Sequence, residues 1–168
     1  MGFIEELRRK RQREETREAQ ERAARDAVYE RKRQEIACEK RKRQLRAQAL
    51  DNSIVPKMTR EITEAGGGEI RENSHFDYDR EYIPRDIISI SFQEGGEIPK
   101  GQYYEIRVRR FDIQGQEDGS VVIGRLSLSS LDAQDRIKVE RALGNAYKSA
   151  KVKTEKRAYP RQEGQGPS

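Results

Sequence analysis

Gln102-Tyr103-Tyr104-Glu105-Ile106-Arg107-Val108-Arg109-Arg110-Phe111-Asp112-Ile113 alternates apolar and polar side chains over most of its length. A period of two belongs to a strand with one face buried. Tyr104, Ile106 and Val108 are expected to point inward, with Tyr103, Glu105, Arg107 and Arg109 outward. Arg110 and Phe111 interrupt the alternation, which predicts a bulge.

Working outward, the same period appears on both sides. Ile88, Ile90 and Phe92 alternate with Ser89 and Ser91, predicting a strand over 87–92. The Gly/Pro-rich run from Glu94 to Gly101 is its connection to strand 102–113. A third strand over 120–128 follows the turn residues Gln114 to Gly119. Helical spacing brackets the strands. Ile54, Met58 and Ile62 recur at i, i+4, i+8 and predict a helix over 54–65, capped by Asp51 or Ser53 and stopped by Gly66-Gly67-Gly68. Leu131, Ile137, Val139, Ala142, Leu143, Ala146 and Tyr147 predict a second helix over 131–151, starting near Ser130 or Asp132 and covering the sheet. The tail, 152–168, is basic and then Gly/Pro/Gln-rich, so disorder is expected there. The fold class is thus α+β: a long charged N-terminal helix, then a small domain of helix, three-stranded antiparallel sheet and helix. The domain boundaries fall at 1–50, 51–151 and 152–168.

The order helix, three strands, helix resembles that of double-stranded-RNA-binding domains. A three-stranded sheet backed by one helix is also seen in plant AP2-type DNA-binding domains. The resemblance covers only the order of elements. The RNA-binding family starts its last helix with lysines that grip phosphates, whereas Ser129-Ser130-Leu131-Asp132-Ala133-Gln134-Asp135 is acidic, so no RNA-binding residues are carried over.

Residues 1–50 differ in kind. They hold 16 Lys/Arg and 10 Asp/Glu, a net of +6, while the other 118 residues sum to −1. Only seven are Leu, Ile, Val or Phe, against 24 in the 94 residues from Ile54 to Tyr147, so the core must lie in the second part. The arm lacks Pro, lacks Gly after Gly2, and is rich in Glu, Arg, Gln, Lys and Ala. Glu5–Arg9, Glu6–Lys10, Glu18–Arg22, Glu21–Arg25 and Glu39–Arg43 stand acid-before-base at i,i+4, which supports an isolated helix. Leu7 is followed by no large apolar residue until Val28, and Tyr29, Ile36, Leu45 and Leu50 keep no steady heptad. A lone solvated helix, a weak homo-oligomeric coiled coil and disorder all remain open for it.

Three basic clusters are the candidate sites for nucleic acid or an anionic surface: Arg8, Arg9, Lys10, Arg11 with Arg13; Arg31, Lys32, Arg33; and Lys40, Arg41, Lys42, Arg43. Such clusters neutralise phosphates without reading sequence. Lys40–Arg43 also fits a nuclear-import pattern, relevant only in a eukaryotic source. Tyr103, Arg107 and Arg109, joined by Arg125 of the third strand, form a secondary candidate on the sheet face. Phe3, Ile4 and Leu7 form a small apolar foot suited to a membrane surface or a protein partner.

Catalytic and metal motifs are missing from the sequence. His75, Asp77 and Asp79 would share one strand face, but their spacing supplies no fourth metal ligand. The glycine triplet is followed by no Gly-Lys-Ser/Thr and is not a phosphate loop. Cys38 is the single cysteine, which excludes an internal disulfide and points to a reducing compartment. The expectation is a non-enzymatic cytoplasmic protein without cofactor or transmembrane segment. Its basic arm tethers a small adaptor domain to nucleic acid or a ribonucleoprotein. The alternative is a scaffold whose helix self-associates or lies along a protein assembly or membrane surface.

Overall fold

The computed structural model of the chain describes residues 2–76 and 82–159. Helix α1 spans Phe3–Asp51. The chain divides into two compact units, Met1–Arg41 and Lys42–Ser168, so the last turns of α1 belong to the second unit. The composition boundary at residue 50 therefore falls later than the structural one. Ala47, Ala49 and Leu50 are buried, whereas every described residue up to Arg41 is exposed.

After α1 come α2 (Val55–Gly66) and strands β1 (Glu69–Glu72), β2 (His75–Phe76), β3 (Tyr82–Ile83), β4 (Ile87–Gln93), β5 (Ile98–Lys100), β6 (Tyr103–Gly115), β7 (Val121–Ile123) and β8 (Leu126–Leu128). A 3-10 turn over Asp132–Gln134, helix α3 (Arg136–Ser149) and strand β9 (Val152–Ala158) complete the order. Asp77, Tyr78 and Asp79 lie outside the described residues, as does the tail from residue 160. The α+β class holds, but the main antiparallel sheet has seven strands rather than three, in the order β1-β4-β6-β7-β8, with β5 and β9 also paired to β6. The helix–three strands–helix order is therefore not the order of this fold.

Several boundaries shift for local reasons. Residues 120–128 form a hairpin, not one strand, because Gly124 at φ +61° turns the chain back between β7 and β8. Residues 152–158 form a strand, not disordered tail, pairing with seven residues of β6. Asp135 caps α3, accepting hydrogen bonds from the Ile137 and Lys138 amides at 2.9 and 3.2 Å, while Asp132 starts the preceding turn. Helix α2 ends as expected on the glycine triplet, with Gly67 left-handed at φ +68°.

Strand β6 is the centre of the sheet, and it contains no bulge. Its register with β4 is unbroken from Ile87↔Gln114 to Gln93↔Val108, and with β9 from Tyr103↔Ala158 to Arg109↔Val152. The interrupted alternation has another cause: the two halves of the strand bury opposite faces. Phe111 and Ile113 face the main core with Leu50, Val55, Met58, Ile88, Ile90, Val139 and Leu143. Ile106 and Val108 are buried on the reverse face, outside that core. There Arg157 of β9 grips Glu69 of β1 at 2.8 and 3.0 Å, and Arg110 meets Glu155 at 2.7 Å. Strands β4 and β6 lie between β1 and β9, so the sheet must coil for its outer strands to exchange an ion pair across this face. The hydrogen bond from Arg157 holds the Glu69 carboxyl below its ordinary pKa, against a smaller upward push from burial.

The end of α1 is held to the sheet by Asp86, only 3% exposed. Arg46 Nε donates to its Oδ2 at 2.7 Å, Asn73 Nδ2 to its Oδ1 at 2.7 Å, and Arg43 Nε lies 3.3 Å from Oδ1. Asn73 Oδ1 accepts from the Asp86 and Ile87 amides, and Arg43 also donates to the carbonyls of Asn73 and Pro84. Burial pushes the Asp86 carboxyl up, but the hydrogen bonds and the two guanidinium charges outweigh it and hold it below the usual range. The helix approaches so closely that a Cβ on Gly115 would stand 1.8 Å from the Arg46 carbonyl oxygen, so only glycine fits.

Replacing Asp86 by Ala takes from two partly buried guanidinium groups the carboxylate they share and should cost about 3–5 kcal/mol in chemical denaturation. The folded pKa of Asp86 lies below the unfolded value of about 3.9. Its stabilisation is therefore complete above that value and is lost as pH falls through the lower folded one, and the acid limb should flatten in Asp86→Asn. Ending the chain at Lys151 removes the strand paired along Ile106 and Val108, together with Arg157 and Glu155 of the reverse face. This should lower stability, read as a fall in denaturation midpoint, by up to about 1.5–3 kcal/mol for each of the two side chains to the extent that it becomes exposed.

Candidate nucleic-acid interface

In the arm, helix propensity is high and every described residue up to Arg41 is exposed, so the pairs seen there form in water. Arg9 pairs with Glu5 at 3.8 Å, Arg11 with Glu15 at 3.1 Å and Arg17 with Glu21 at 3.0 Å. The last two run base-before-acid, the reverse of the predicted orientation. All are exposed, so each contributes only about 0.3–0.5 kcal/mol to the helix.

The three predicted clusters now separate by role. Arg8, Lys10, Arg13, Arg31, Lys32, Arg33, Arg41 and Lys42 are exposed and make no ion pair among the described residues. Arg9 and Arg11 are in weak surface pairs, and Lys40 has an interaction of its own. Arg43 is different: it is committed to Asp86, Asn73 and Pro84 and is a structural residue. At 100° per residue, Arg31, Lys32 and Arg33 point to three sides of the helix. A positive field surrounds the arm without a single basic face, which suits loose, sequence-independent contact with phosphates.

The sheet candidates separate in the same way. Tyr103 and Arg107 do share a face, the one on which β9 places Lys156 and Thr154 and β5 places Lys100. Lys156 Nζ stands 5.2 Å from the Tyr103 ring centroid. Glu105 sits among them and blunts the charge. Arg109 is spent internally: its Nε donates to Glu94 at 2.6 Å, its guanidinium lies 5.1 Å over the Tyr147 ring, and Nη1 reaches the Tyr147, Lys148 and Ala150 carbonyls at 3.3–3.4 Å. It closes the C-terminus of α3, where a cation is favoured by the helix dipole. Its hydrogen bond, with one from the Tyr147 hydroxyl, holds the Glu94 carboxyl below its ordinary pKa. The same carboxylate raises the pKa of Tyr147. Arg125 occupies the β7–β8 turn rather than a strand, away from this register.

Lys156 was not among the predicted sites because its segment reads as tail. Its signal was present: Lys151 to Ala158 lacks Gly and Pro and carries β-branched Val152 and Thr154 two apart. Among the described residues no cluster of His, Cys, Asp and Glu could hold a metal ion, and no helix is long and apolar enough to cross a membrane.

The division of roles has a direct test in urea denaturation. Arg43→Gln should lose about 1.5–3 kcal/mol, because the Asn73 and Pro84 carbonyls lose their charged donor and Asp86 loses one of its two guanidinium partners. The adjacent Lys42→Gln should stay within about 0.5 kcal/mol of the parent.

No protein family, curated protein or solved structure matches this chain, so these side chains alone carry the functional reading.

Proposed function

We propose that this is a non-enzymatic binding protein whose basic helical arm engages nucleic acid or a ribonucleoprotein, with the α+β unit as an adaptor. One observation carries the reading. Eight of the twelve arm bases in the predicted clusters remain exposed and outside any ion pair among the described residues, whereas Arg43 and Arg46, beside the sheet, are paired with Asp86. A helix needs only propensity and a few i,i+4 pairs to form, so the remaining cations are surplus to its stability. Their chemistry suits counterion release from a phosphate backbone. Tyr103, Arg107 and Lys156 add a second, smaller basic-aromatic patch on the folded unit.

A second reading, self-association of the arm, rests on a different pattern. Phe3, Ile4, Leu7, Val28, Tyr29 and Ile36 are all more than half exposed. Projected at 100° per residue, they fall within one arc of roughly 120°. Sedimentation at several concentrations would show this as a dimer lost in an Ile36→Glu variant.

The principal experiment is fluorescence anisotropy of labelled RNA and DNA with the full chain. Affinity should fall by about 10³-fold between 50 and 200 mM salt if some six phosphates are contacted. Arg31→Gln, Lys32→Gln and Arg33→Gln together should flatten the salt slope without changing thermal stability. An absence of binding at 50 mM salt would overturn the nucleic-acid reading.

A further inference from the structure

Between α2 and α3, over β4 and β6, lies a groove of about 460 Å³. Ile62, Leu143, Phe92 and Phe111 form its apolar walls. That volume falls within the range of small-ligand sites, about 300–1,000 Å³. Thr59 of α2 is also part of the groove lining. The residue is 1% exposed, and its Oγ1 is buried without a hydrogen-bond partner among the described residues. Buried hydroxyls are normally paired, and an orphan one is a cost that a bound group can remove.

Gly144, on the α3 side, is a second and independent sign. It sits inside a helix, where glycine is unfavourable relative to alanine. A Cβ there would meet nothing within 4 Å, so packing inside the chain does not require glycine. Two glycines elsewhere in this unit differ: a Cβ on Gly68 would strike the Phe92 ring at 2.7 Å and one on Gly115 the Arg46 carbonyl. A helix glycine that the chain itself does not need leaves room for something that comes close to the backbone.

Charge narrows the occupant. Glu140 is exposed at the groove and makes no ion pair among the described residues, and no Lys or Arg lines the groove. A carboxylate or phosphate ligand would face an uncompensated carboxylate. We infer that the α2–α3 groove binds a small uncharged amphiphile, an apolar chain or ring bearing one hydroxyl or carbonyl that pairs with Thr59. This goes beyond the arm's role and is independent of it.

The probe is 1-decanol, titrated into the ¹⁵N-labelled full chain, with decanoate as the charged control of equal chain length. Decanol should give saturable shifts of the Thr59, Leu143 and Gly144 amides. Decanoate should bind at least tenfold more weakly above pH 6. Thr59→Val, isosteric but without the hydroxyl, should raise the melting temperature of the free protein and weaken decanol binding at least fivefold. Gly144→Leu should fill the space and remove the shifts. If that variant does not fold, Thr59→Val decides. The inference is overturned if decanol gives no saturable shift, if the shifts map elsewhere, or if Thr59→Val binds as tightly as the parent. A dimer that decanol dissociates and Gly144→Leu abolishes would assign the groove to a second copy of the chain, and would equally overturn it.

Discussion

The buried carboxylate of Asp86 holds the last turns of α1 within the folded unit. It is almost fully buried and would be costly to ionise alone, yet Arg43, Arg46 and Asn73 together keep it charged. Asn73 in turn ties the segment after β1 to the start of β4 through the Asp86 and Ile87 amides. The final turns of α1 thereby become part of the core, with Leu50 fully buried behind them. Gly115 completes the junction by letting the helix backbone touch β6.

This arrangement sorts the positive charge of the chain by purpose. Arg43, Arg46, Arg109, Arg110 and Arg157 each face a carboxylate in a partly dehydrated setting, and there they organise structure. Up to Arg41 the cations are exposed, and Arg8, Lys10, Arg13, Arg31, Lys32, Arg33 and Arg41 lie outside any ion pair among the described residues. Within the last cluster Arg43 is thus spent on structure, while on β9 Lys156 stands beside Tyr103. The apolar groove belongs to neither group of charges. It arises because α2 and α3 meet over the sheet without closing on Phe92 and Phe111, leaving Thr59 unpaired at the lining.

Much of the fold was legible wherever period and composition act locally. Helices α1 and α2, strand β4 and the long β6 were readable from spacing and breakers, because each buries one repeated face or needs none. The short strands were not. Ile98–Lys100 and Glu69–Glu72 are too brief and too polar to show a period, and exist because β6 and β4 offer them free hydrogen-bonding edges. The supposed bulge at Arg110–Phe111 misread a real signal. The pattern does reverse there, but it does so because the two ends of β6 are covered on opposite faces.

The sequence by itself determined that a long charged helix precedes a small α+β unit, that the core lies after residue 50 in the main, and where the basic clusters stand. These follow from propensity, hydrophobic period and charge, all read over a few neighbouring residues. Only the tertiary structure decided which arginines are spent, that residues 152–158 are a strand, and that Thr59 and Gly144 share one groove. Each of these depends on partners 13 to more than 80 residues distant in the chain, as Asn73–Asp86, Arg43–Asp86, Thr59–Gly144 and Glu69–Arg157 do. A pairing of that range is set by how the whole sheet coils and packs, which no local window records.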